Sequence, residues 1–157
     1  MLPARRLTLE IVANASLPAE LCDLIPRIGS EVAARSRLRG RVTVQICPDA
    51  EMRRLNREFR GVDRVTDVLA FPDTEAEPTD PAEAAGDVAI SYARVVAQAQ
   101  VHGHSRAREF GYLLTHALLH LAGESHDGGI ETRRMRACEE AVLGSLGLAR
   151  EPAASRA

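Results

Sequence analysis

The sequence predicts one α+β or α/β layer built around a small sheet, with a central helix that bears histidines. Three observations carry this reading. The chain has 157 residues, 45% of them hydrophobic and 27% charged, which suits one soluble domain able to bury a sizeable core without disulfides. Four short segments with strand character are interspersed with five stretches of helical periodicity. No internal repeat divides the chain.

The elements follow in order. Residues 7–13 (LTLEIVA) alternate as a strand. Residues 18–36 set Leu21, Leu24, Ile25, Ile28 and Val32 at helical spacing, while Pro26 and Gly29 predict a kink or a late start. The segment 41–47 (RVTVQIC) is rich in β-branched residues, with Val42, Val44 and Ile46 on one face of a strand. Asp49 is placed to cap a helix over 50–60 whose apolar stripe is Met52, Leu55 and Phe59. Residues 66–71 (TDVLAF) and 86–91 (GDVAIS) are two further strands. Between them, residues 72–85 carry three prolines and five acids with no basic residue, a solvated and mobile loop. Helical patterns follow at 92–101, 105–122 and 130–147, and 151–157 reads as a disordered tail. Residues 1–150 are thus expected to form a single domain.

Composition excludes several function classes. A net charge of −2 gives no global basic field, so any nucleic-acid contact must come from a local patch. All 20 basic residues are arginine, read here as a composition bias. Aromatics are 3% with no tryptophan, which argues against a base-stacking platform. Cys22, Cys47 and Cys138 are far apart and form no C-x-x-C pair, as expected of small hydrophobes in a reducing compartment. No apolar run reaches membrane-spanning length, and Glu10 and Asn14 interrupt any signal-peptide core. A cytoplasmic protein is expected.

The chemistry concentrates in THALLHLAGESHDGG. On a helix His116 and His120 differ by about 40° in azimuth and about 6 Å along the axis, so they stand one above the other. Gly123 follows where a left-handed residue ends a helix and turns the chain, which can swing His126 toward the first two. Three imidazoles with one open position make a catalytic-type zinc site. The spacing H-x-x-x-H-x-x-G-x-x-H is also that of the metzincin peptidases, but their general base follows the first histidine, where this chain has Ala117. A metallopeptidase is therefore the weaker alternative. A non-catalytic adaptor with structural zinc is the other, and three ligands without a fourth argue against it.

These residues carry a family resemblance. HALLHLAGESH resembles the YbeY endoribonuclease signature H-G-x-L-H-L-x-G-y-D-H. LNREFRGVDRVTDVLAFP (55–72) and GDVAIS (86–91) resemble two further family segments, in the same order and spacing. The chain departs at Ala117 for Gly, Val65 for Pro, and Glu124–Ser125 for Tyr–Asp before the third histidine. The resemblance implies an α+β, zincin-like fold with a small four-stranded mixed sheet. It implies a zinc-dependent, single-strand-selective endoribonuclease in 16S rRNA maturation and ribosome quality control, with one Zn²⁺ per chain. It also implies RNA, the small ribosomal subunit and an Era-type assembly GTPase as partners.

Arg60 matches the arginine of the family's L-N-x-x-y-R segment and is assigned to the reacting phosphate. Arg53 and Arg57 share its stripe and, with Arg54, are candidate RNA contacts or an ordinary solvated face. Glu124, Asp127, Asp67 and Asp87 are the carboxylates able to act as general base or to orient a ligand. A water activated by zinc is the favoured nucleophile, and the RNA 2′-OH is the alternative. His102 and His104 read as an exposed polar turn, Met135 as packing and Gly86 as a turn residue.

Overall fold

In the computed structural model, which describes residues 6–13, 15–73, 84–123 and 129–149, all nine expected elements form. They are β1 (Leu7–Ala13), α1 (Ala19–Arg35), β2 (Gly40–Cys47), α2 (Asp49–Arg60), β3 (Val68–Pro72), β4 (Ala84–Ser91), α3 (Tyr92–His102), α4 (Arg106–Leu121) and α5 (Gly129–Ser145). The sheet runs β1-β2-β4-β3. The first three strands in that order are parallel, and β3 is antiparallel to β4. The sheet is thus mixed, and the fold is α+β. Most of the expected acidic loop 72–85, the tail 151–157, and Glu124, His126 and Asp127 lie outside the described residues.

Period-two alternation divides the interior in two. Val42, Val44 and Ile46 of β2 and Val88 and Ile90 of β4 face α1 and α4 in the main core. Cys47, Leu69 and Ala89 face the other way, under Met52 and Leu55 of α2. β2 is buried on one face and half-buried on the other, as its alternation of Val42, Val44 and Ile46 with Arg41, Thr43 and Gln45 requires. Each fully buried leucine, such as Leu114 or Leu118, contributes about 1.5–3 kcal/mol.

The helix α4 sits at the centre, against α1, α3, α5, β3 and β4. From Ala107 to Leu121 none of its residues is exposed, so the polar side chains in that stretch are enclosed along with Phe110, Leu114 and Leu118. The expected packing role of Met135 is met, since it is fully buried in the same core.

Four details differ from the sequence reading. The helix α1 runs through Pro26 and begins at Ala19. Asp49 does not cap α2; Pro48 holds that position without a side-chain bond. The Asp49 carboxylate instead accepts from Ser91 Oγ at 2.6 Å and Arg94 at 3.1 Å, joining α2 to the start of α3. Phe59 is 65% exposed, because the small second core ends before it; its ring rests on Phe71, centroids 5.0 Å apart. Gly86 lies within β4, opposite Pro72, and makes no turn. Among the described residues, no helix is long and apolar enough to cross a membrane.

Candidate active site

Local signals define both ends of α4. Ser105 is its N-cap, accepting from the Arg108 N–H at 3.0 Å, one of the donors a helix start leaves open. At the other end Gly123 adopts φ +91°, and its N–H donates to the His120 carbonyl at 3.0 Å. The left-handed residue expected after the second histidine is in place.

Between these ends, His116 and His120 stack one turn apart, with ring centroids 4.8 Å apart and the rings edge to face. Both are half-buried. Nδ1 of His116 lies 2.9 Å from Oε2 of Glu139 on α5, a residue only 3% exposed. In the tautomer whose Nδ1–H donates to that carboxylate, Nε2 carries the ring's lone pair. The sequence reading missed Glu139. Its signal was an acid at a core position, four residues after Met135 and three before Val142, both buried.

The two histidines form one wall of a cavity of about 470 Å³ whose other lining includes Arg60, Thr66, Asp67, Val68 and Ala70. Gly86 lets α4 approach the sheet there: a Cβ would meet the Phe71 carbonyl oxygen at 2.6 Å and Leu121 Cδ2 at 3.0 Å. Asp67 is fixed twice, its carbonyl accepting from Ser91 N–H at 2.9 Å and its Oδ2 from Gln98 Nε2 at 3.1 Å. Asp87 is not brought to the cleft. Alternation along β4 sends its side chain to the α2 face, opposite Val88 and α4.

The arginines of α2 separate by partner. Arg53 grips Asp63 through two bonds at 2.8 and 3.2 Å, and Arg57 lies 3.8 Å from the same carboxylate. The Arg53 hydrogen bond, with smaller Coulombic help from Arg53 and Arg57, holds the Asp63 carboxyl below its ordinary range against a small desolvation effect. Arg54 bonds Glu51 and Glu58. The candidate RNA stripe is therefore largely neutralised on the helix surface. Arg60, which lines the cleft, has no carboxylate partner among the described residues.

Two imidazoles at one mouth, one with its outer nitrogen oriented by a buried carboxylate, fit a transition-metal ion. The third expected ligand, His126, and the carboxylates Glu124 and Asp127 lie outside the described residues. A second group that can hold an ion is His102, His104 and Glu109, whose ligand atoms all lie within 4.8 Å of one another. The expected polar turn at His102 and His104 thus closes on a buried acid seven and five residues ahead in sequence.

Comparison with known proteins agrees with this geometry. The family described as Endoribonuclease YbeY matches residues 11–147. An Endoribonuclease YbeY of Chloroflexus aurantiacus is 42% identical over 152 residues, covering 92% of this chain and 98% of the relative. One from Roseiflexus castenholzii is 48% identical over 115 residues, covering 70% and 72%. The solution structure of a Thermotoga maritima protein shares the fold, with a TM-score of 0.61 at 23% identity, covering 89% of this chain and 92% of that one. The chain belongs to the YbeY family.

Proposed function

We propose that this YbeY-family chain is a zinc-dependent endoribonuclease that cleaves single-stranded RNA in 16S rRNA maturation and ribosome quality control. Residues 1–150 would form its single hydrolase domain, working in the cytoplasm on the small ribosomal subunit beside an Era-type GTPase. The observation that carries the reading is the meeting of His116 and His120 with Arg60 and Asp67 in one cavity. Imidazoles suit a metal, a guanidinium without a carboxylate partner among the described residues suits a phosphate, and the family relatives are named endoribonucleases.

His116, His120 and His126 would hold the ion. When bound, it supplies Lewis acidity and a water acidified toward neutral pH. Glu139 accepts from His116 Nδ1–H and so keeps Nε2 turned to the cleft. The planar fork of Arg60 donates to the non-bridging phosphate oxygens as negative charge builds there. Asp67, with Gln98 on Oδ2, offers Oδ1 to take the proton of the attacking water. Water then bonds to phosphorus as the P–O3′ bond breaks, leaving a 3′-hydroxyl and a 5′-phosphate.

The test is cleavage of a single-stranded RNA, with casein as the competing substrate and a chelator in parallel reactions. RNA cut only without chelator, and casein untouched, is the expected result. A single 2′-deoxy sugar at the scissile position should be tolerated. If the deoxy substrate is inert and 2′,3′-cyclic phosphates accumulate, the 2′-OH is the nucleophile instead.

A further inference from the structure

The turn between α3 and α4 gathers a second set of donors that the reaction above does not use. His102 ends α3, and Gly103 reverses the chain with φ +67°. His104 follows, and Ser105 starts α4. Both imidazoles thereby meet Glu109 in the first turns of α4. Nδ1 of His102 lies 3.2 Å from Oε1 of Glu109, and Nε2 of His104 lies 3.4 Å from Oε2. The Glu109 side chain is 3% exposed. Its described partners are these two rings and Gln98 Nε2 at 3.5 Å, with no arginine among them. Arg108 beside it is committed to the Leu148 carbonyl and Glu140.

We propose that His102, His104 and Glu109 bind a second divalent transition-metal ion, separate from the reacting centre. Three arguments support it. Ligands about 2.0–2.1 Å from a tetrahedral ion stand about 3.3 Å from each other. Each ring nitrogen is 3.2 or 3.4 Å from one carboxylate oxygen, and one ligand atom from each residue lies within 4.8 Å of the others, close enough to draw in around an ion. Two imidazoles and a carboxylate are the ligand set of a zinc site that keeps one position open, and these three line a cavity of about 710 Å³. A carboxylate this deeply buried without a fixed cation is costly unless something positive joins it.

The site is not the second half of a two-metal centre. Glu109 precedes His116 by seven residues, about 10 Å along the helix, whereas paired catalytic ions stand about 3.5–4 Å apart. The two places are linked by Gln98, whose Nε2 touches both Glu109 and Asp67, and by Glu139, which bonds His116 and lines the cavity of the second group.

The test uses the full chain, stripped by chelation and titrated with Co²⁺, read by visible absorption and equilibrium dialysis. The H116A/H120A variant, which lacks two of the three ligands proposed for the reacting centre, should still take up about one Co²⁺ per chain. Adding H102A, at a largely exposed side chain, should weaken that uptake about tenfold or more, and adding E109Q should do the same. Circular dichroism melts confirm that each variant is folded. The proposal is overturned if H116A/H120A takes up no Co²⁺ where wild type does, or if its uptake ignores both H102A and E109Q. Either result is independent of whether the chain cuts RNA.

Discussion

The two histidine pairs line different cavities and are built differently. His116 and His120 belong to one helix, and their spacing is imposed by the backbone of an element that is buried or half-buried from Ala107 on. His102 and His104 straddle a helix end, and it is Glu109, buried beneath them, that brings their nitrogens together. Each pair has a buried glutamate, Glu139 for the first and Glu109 for the second. In the first the acid bonds one nitrogen of one ring, and both rings line a cleft. In the second it bonds both rings, one through each oxygen. The same residue types therefore yield a pair backed by the carboxylate or a pair joined through it, according to where the carboxylate stands.

The comparison breaks first at the helical pair. H116A/H120A should lose RNA cleavage to the level of a no-enzyme control; residual cleavage in a chelator-sensitive assay would move the reacting centre elsewhere. Next is Asp67→Asn, which removes the proposed proton acceptor and should lower kcat by about 10²–10⁴. A shift in the acidic limb of the pH–rate profile separates that role from simple packing. Arg60→Ala should lower kcat by about 10²–10³ with an unchanged melt. Arg54→Ala, whose charge is already paired with Glu51 and Glu58, serves as the matched control and should leave the rate within a factor of about two.

A finer test addresses the acid behind the ring. Glu139→Gln should weaken metal affinity by about 10–100-fold, read by competition with a colorimetric chelator; unchanged affinity would reduce Glu139 to core filling. The smallest effect lies away from both pairs. The Ser91 hydroxyl, then Arg94, holds the Asp49 carboxyl below its ordinary value against desolvation. A depressed folded pKa contributes stability above the unfolded value, about 3.9, and loses it as pH falls through the folded one. Wild type should therefore exceed Asp49→Asn by no more than about 1 kcal/mol in urea titrations at pH 5–7, and the gap should close below about pH 4.

What the sequence revealed follows from how local each interaction is. Every strand and helix was legible because apolar period and turn residues act over a few positions, and Gly123 was legible as a helix terminator for the same reason. The stacking of His116 on His120 is likewise intrinsic to four-residue spacing. Glu139 was not legible, since it meets His116 across 23 residues through the packing of α5 on α4. The neutralising of Arg53 by Asp63 depends on the loop after α2 folding back. Asp87 was read without its strand parity, and parity sends it to the far face. Asp49 shows the same limit: a capping residue by type, it was taken by donors on α3.

The enclosure of α4 also sets how this region moves. Amide protons in helices open either by local fraying or by unfolding of the whole domain, and the deeper the packing the closer the opening energy comes to the global value. With Leu114, Leu118 and Leu119 buried on either side of His116, the backbone amides of that turn should exchange with deuterium only when the domain itself unfolds. The imidazoles of His116 and His120 should thus be held by a slow-breathing part of the described chain, and their spacing should persist for as long as the protein stays folded.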